Sequence, residues 1–141
     1  MGTRSLVHFE DDGKIICTVY RQFDGYPEGR GTELAEFLSN ITMRNGFGMG
    51  DAAGTHANGV GCLIAQWIKL EKQDIGGIYV QAPGVAGEDD WIEYEYVVRE
   101  TEDGDLEVEV TSTYDGPYFK GSPKDLAAFI KADADSEEEE G

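Results

Sequence analysis

Cysteine is scarce in this chain of 141 residues, with only Cys17 and Cys62. Both lie among apolar neighbours, in Ile15-Ile16-Cys17 and Cys62-Leu63-Ile64. Two such residues make no disulfide framework, and they read as buried, reduced thiols. Histidine is equally rare, with His8 and His56 alone. There is no His-Glu-x-x-His, no Cys-x-x-Cys, no Gly-x-Ser-x-Gly elbow, no P-loop and no calcium-loop pattern, so no catalytic residue, metal or cofactor is expected. Positive charge is short too: 11 Lys and Arg stand against 29 Asp and Glu, a net charge of -18. That surplus argues against direct binding of nucleic acid or of an anionic membrane. No apolar run approaches the roughly 20 residues that span a bilayer. The opening residues lack the basic-then-apolar pattern of a secretory signal, so the expected location is the cytoplasm.

The negative charge is unevenly placed. Residues 1–87 hold seven Lys/Arg and ten Asp/Glu, whereas residues 88–141 hold four and nineteen. The first part is therefore nearly neutral and able to hold an anion. Arg4–Phe9 and Lys14–Arg21 read as a strand pair around the turn Asp11-Asp12-Gly13. Thr32 reads as the cap of a helix whose Leu34, Phe37, Leu38 and Ile41 recur at helical spacing. Met43–Gly61 reads as a long Gly-rich loop, functional or mobile at that length. A second helix follows from Cys62 to about Lys72, with Leu63, Ile64, Trp67, Ile68 and Leu70 on its buried side. Gly77–Gln81 is a short strand. Trp91–Glu100 and Leu106–Thr113 alternate apolar and acidic residues as a second hairpin, and a further short strand falls near Tyr118–Lys120. Ser122-Pro123-Lys124-Asp125 opens a last helix. The order ββααβββα predicts an α+β fold: an antiparallel sheet of about five strands, covered on one face by two or three helices. Residues 1–132 read as one globular domain and 133–141 as a disordered acidic tail.

One segment carries more chemistry than a connector needs. Tyr20-Arg21-Gln22-Phe23-Asp24-Gly25-Tyr26-Pro27-Glu28-Gly29-Arg30-Gly31 sits between a strand and a helix and combines arginines, aromatic rings and turn formers. Turn formers alone would close the chain. A guanidinium offers a planar fork of donors to phosphate or carboxylate, and aromatic rings stack on flat ligands. The expected ligand-binding set is Arg4, Tyr20, Arg21, Phe23, Asp24 and Tyr26. Arg4 and Arg21 would converge on phosphates from neighbouring strands, Phe23 and Tyr26 would stack on a base, and Asp24 would read a polar edge. Asn58 and Gly59 join the set because a helix N-terminus attracts anions and the Gly-rich loop could close over the ligand.

A second candidate is the acidic face made by Glu93, Glu95, Glu107 and Glu109. Same-face residues on a strand repeat every ~6.6–6.8 Å, close to the phosphate repeat of a nucleic-acid strand. Such a face would imitate nucleic acid and engage a basic protein.

The start Met1-Gly2-Thr3-Arg4-Ser5, followed by Tyr20-x-x-Phe23-Asp24-Gly25-Tyr26-Pro27, resembles small accessory proteins of phages and of bacterial genomes that carry phage genes. The resemblance covers about the first forty residues. Where those proteins commonly carry Cys-His-Trp before Asp-Gly, this chain has Arg21-Gln22-Phe23, so chemistry needing that Cys or His is not expected here. The resemblance implies action against a host defence, in the host cytoplasm. The primary expectation is a non-catalytic protein that sequesters a small nucleotide-derived defence signal, in a role compatible with a homo-oligomer. The alternatives are an acidic nucleic-acid mimic that inhibits a defence nuclease, and a small phosphohydrolase.

Overall fold

β-Branched and aromatic residues on alternating positions build a six-stranded sheet. The computed structural model describes residues 2–46, 48, 52, 54–83 and 91–140. The strands are β1 (Arg4–Asp11), β2 (Lys14–Arg21), β5 (Ile78–Gln81), β6 (Ile92–Glu100), β7 (Leu106–Ser112) and β8 (Gly116–Gly121), in the spatial order β5-β2-β1-β6-β7-β8. Both expected hairpins form, β1 with β2 and β6 with β7. The α+β class holds, with two differences from the sequence reading. The sheet has six strands, and its central pair, β1 with β6, is parallel. The long excursion through two helices returns the chain beside β1 in β1's own direction, a relation no local pattern encodes.

The segment read as one long loop contains two short strands, β3 (Thr42–Arg44) and β4 (His56–Asn58), paired in parallel. Its tip, the Gly46-Phe47-Gly48-Met49-Gly50 run, lies partly outside the described residues.

Among the described residues three helices cover one face of the sheet: α1 (Thr32–Ser39), α2 (Gly59–Glu71) and α3 (Pro123–Glu140). Val7, Phe9, Val19, Tyr96, Val98, Val108 and Val110 point at them and form one core with Leu34, Leu38, Leu63, Ile64, Trp67, Leu126 and Ile130. Phe9 meets Trp67 of α2 with ring centroids 5.4 Å apart. Tyr118 meets Phe129 of α3 edge-on at 5.0 Å. Fully burying a large side chain such as Phe9 or Trp67 is worth about 1.5–3 kcal/mol, so the contact between those two fixes where α2 lies.

Several local expectations change. The chain enters α1 through a π-helical turn, Pro27–Gly31, so Thr32 continues a helical path and does not cap it. The turns of α2 carry Val60, Leu63, Ile64 and Trp67 inward, which leaves Leu70 and Cys62 exposed. Cys62 is thus not a buried thiol; its Sγ lies 2.9 Å from Gln66 Oε1 one turn on. Cys17 is half-buried, and burial raises its thiol pKa. The acidic stretch from residue 133, read as a disordered tail, continues α3 as far as Glu140, and Asp133 accepts a hydrogen bond from the Tyr118 hydroxyl at 3.2 Å. No helix among the described residues is long and apolar enough to cross a membrane.

Candidate functional site

The segment Gln22–Gly31 is held at every turn. Asp24 sits in the left-handed region at φ 58°, which costs a residue with a Cβ some energy and is tolerated best by Asp, Asn and Gly. The Gly25 N–H donates to the Thr3 carbonyl at 2.9 Å, and the buried Tyr96 hydroxyl donates to the Gly25 carbonyl at 2.7 Å. A Cβ on Gly25 would stand 2.7 Å from the Ser5 side chain, so only glycine fits this close crossing. The Arg30 N–H closes the loop onto the Asp24 carbonyl at 3.0 Å, and the Gln22 N–H ties it to the Gly77 carbonyl at 2.8 Å. A loop fixed this way presents its side chains without having to order them on binding.

Beneath the loop, four charges meet on the helix-covered side of the sheet. Arg21 hydrogen-bonds both carboxylate oxygens of Glu33, from Nη1 to Oε2 and from Nη2 to Oε1, and its Nε donates to the Phe23 carbonyl at 2.7 Å. Arg30 is fully buried, its Cζ 4.1 Å from the centre of the Trp67 ring. Its Nη1 lies 3.5 Å from Glu71 Oε2 and 3.9 Å from Glu33 Oε2, yet none of its three nitrogens makes a hydrogen bond among the described residues. Burial and the like charge of Arg21 push its pKa down to about 10, against the pull of Glu71 and Glu33. It stays a cation at neutral pH. Burial raises the Glu71 carboxyl, and the nearby Glu33 adds to that, while Arg30 and Arg21 oppose it. Burial also pulls Arg21 down, but its bond to Glu33 and the carboxylates around it outweigh this and hold it above its ordinary value.

Two hollows flank this cluster. One of about 360 Å³ is lined by Arg21, Phe23, Asp24, Glu71, Lys72 and the turn through Gly76 and Gly77. Phe23 stands at its edge, 52% exposed. The other, of about 650 Å³, is a groove between α1 and α2, lined by Glu33, Glu36, Phe37, Lys69, Leu70 and Glu71 among others. Glu71 borders both hollows.

The structure brings together part of the expected set and separates the rest. Arg21, Phe23 and Asp24 share the smaller hollow. The Tyr26 hydroxyl reaches Asp24 Oδ1 at 3.4 Å, beside that group. Arg4 does not converge with Arg21: Ser5 is the residue opposite Arg21, so Arg4, one position away, points to the other face of the sheet. Tyr20 pairs with Leu6 on that same far face and stacks near Tyr79, ring centroids 5.9 Å apart. Asn58 and Gly59 begin α2, whereas Arg21 meets the far end of that helix at Glu71. Thirteen residues at 1.5 Å each put them about 18–20 Å away, and the Asn58 side chain is engaged by the Gly46 N–H at 2.7 Å. The guanidinium that does join Arg21 is Arg30. Its place inside a glycine-flanked turn hid it, as did the absence of any pattern linking it to Glu33, Trp67 and Glu71. The spacing of Arg30 to Glu33, one helical turn, was the available signal.

On the open face, Glu95, Glu107 and Glu109 share a side of β6 and β7. They are not all bare charges. Arg99 donates to Glu107 at 2.8 Å, to Glu109 at 3.1 Å and to Glu10 at 2.7 Å. Glu95 lies 3.0 Å from Nε2 of the buried His8, whose Nδ1 lies 2.9 Å from the Thr18 hydroxyl. Comparison of the chain with protein-family models, with curated proteins and with solved structures found no match.

Proposed function

We propose that this is a non-catalytic binding protein for a small, flat, singly phosphorylated ligand of nucleotide type, held in the hollow beside Arg21. One observation carries the reading: Arg21 at the end of β2, and Phe23 and Asp24 on the fixed loop that follows, meet Lys72 around a single open hollow of about 360 Å³. That volume is within the range of small-molecule sites. Phe23 supplies an exposed ring for stacking, Arg21 and Lys72 supply cations for the anionic group, and Asp24 accepts hydrogen bonds from a ring edge. Three carboxylates, Asp24, Glu71 and Asp74, border the same hollow against two cations. A polyphosphate would meet those carboxylates, so the balance favours one phosphate. In the phage context implied by the first forty residues, such a protein would withdraw a nucleotide-derived defence signal from its receptor. The test is a thermal-shift screen with nucleoside monophosphates and cyclic mononucleotides. A ligand of this class raises Tm in the native protein, and Arg21→Ala removes the rise. If no member shifts Tm, or if Arg21→Ala leaves the shifts unchanged, the reading is wrong.

A further inference from the structure

We infer that the Glu33 carboxylate is an internal stand-in, occupying between Arg21 and Arg30 the place that a ligand's phosphate takes on binding. This rests on the binding reading above and adds what the Arg21 guanidinium holds before the ligand arrives. Glu33 grips Arg21 with both oxygens, the geometry in which a guanidinium also holds phosphate. It is the most exposed of the four charges: its side chain is 41% exposed, against 14% for Glu71, 15% for Arg21 and 0% for Arg30. It is therefore the member that leaves for water at least cost.

The stand-in is also incomplete. Both carboxylate oxygens of Glu33 are turned to Arg21, and the nearer one stops 3.9 Å short of Arg30 Nη1. Arg30 is left buried with no hydrogen bond on any guanidinium nitrogen among the described residues, although buried charged donors are nearly always satisfied. A phosphate carries a third oxygen, directed away from the plane of the first two. Placed where Glu33 sits, it serves both guanidiniums. The displaced side chain has somewhere to go, because Glu33 borders the groove between α1 and α2 that is also lined by Lys69. The exchange makes and breaks no covalent bond: one anion replaces another, and the charge of the cluster changes only by the ligand's second ionisation.

The inference predicts that removing the internal competitor tightens binding. Adenosine 5′-monophosphate and inorganic phosphate are titrated calorimetrically into the native protein, Glu33→Gln, Glu33→Asp and Arg21→Ala, each checked for native circular dichroism. Glu33→Gln is expected to bind both probes at least tenfold tighter than the native protein. Glu33→Asp, too short to grip Arg21 with both oxygens, falls between them. Arg21→Ala binds neither. If the native protein binds and Arg21→Ala does not, while Glu33→Gln is unchanged or weaker, the stand-in is refuted and the binding site survives. If neither the native protein nor Glu33→Gln binds either probe, the stand-in and the binding reading fall together. Should Glu33→Gln lose its native spectrum, Glu33→Asp decides alone: equal or weaker binding than native refutes the stand-in.

Discussion

Two arginine clusters lie on opposite faces of the same sheet and are built on opposite plans. On the open face one guanidinium, Arg99, serves three carboxylates, and every one of them accepts a hydrogen bond. On the helix side two guanidiniums share two carboxylates, and one guanidinium, Arg30, makes no hydrogen bond among the described residues. Counting charges would rank the acidic cluster as the unfinished one. Counting hydrogen bonds reverses that ranking. A saturated cluster joins strands; an unsaturated buried cation lacks an acceptor. Burial would lower Arg99, but its three bonds to carboxylates outweigh that and hold it well above the ordinary arginine range. Arg30 is displaced the other way. The binding proposal therefore stands on the helix side, and the open face reads as a stitched surface of β1, β6 and β7.

The contrast is breakable by mutation. The largest effect belongs to Arg30→Ala, which strips the cation from Trp67 and leaves the partly buried Glu71 without its nearer partner. We expect a loss of about 3–5 kcal/mol in urea unfolding. Adding Glu71→Gln to Arg30→Met should recover most of it, since the unpaired charge is then gone. A loss below about 1 kcal/mol for Arg30→Ala would show that the buried cluster is not a structural element. Arg99→Met comes next, at about 1–2 kcal/mol, because its bonds are part-exposed. Its loss should shrink in 1 M salt, where the Debye length is about 3 Å, while that of Arg30→Ala stays. Equal salt dependence for both would erase the distinction drawn here.

The smallest effect is that of Glu95→Gln, under about 1 kcal/mol for a half-exposed carboxylate. The hydrogen bond to His8, aided by its charge and opposed by burial, holds the Glu95 pKa below its ordinary value of 4.5. A depressed carboxyl pKa stabilises the fold above the unfolded value, and the benefit is lost as pH falls through the folded value. The gap between native and variant should thus be complete near pH 6–7 and vanish toward pH 3. A gap that grows on acidification would mean His8 does not act through the ionised carboxylate.

Much of this was legible in the chain. The alternation of Val19 with Thr18 and Tyr20, and of Tyr94, Tyr96 and Val98 with Glu93, Glu95, Val97 and Arg99, marked the strands, because side-chain direction in a strand has period two. The same rule, applied to register, would have warned against joining Arg4 to Arg21. That register becomes known only when Ser5 is seen opposite Arg21. Helix positions 63, 64 and 67 were readable from spacing, whereas Leu70 and Cys62 depend on how α2 is rolled against Phe9. The bonds of Glu107 and Glu109 to Arg99 join neighbours across one hairpin, but the third, to Glu10, spans 89 positions.

By itself the sequence determined the local matters: which stretches are strand or helix, where the turns fall, and that one loop carries more binding chemistry than a turn requires. Those follow from periodicity and backbone preference, which act within a few residues. Only the tertiary structure decided that β6 lies parallel to β1, that Arg30 and not Arg4 joins Arg21, and that Glu33 and Glu71 close around them. Charges separated by tens of positions meet only when the core places them within a few ångströms, and Coulomb energy depends on that distance and on the loss of water, neither of which is written in the order of residues.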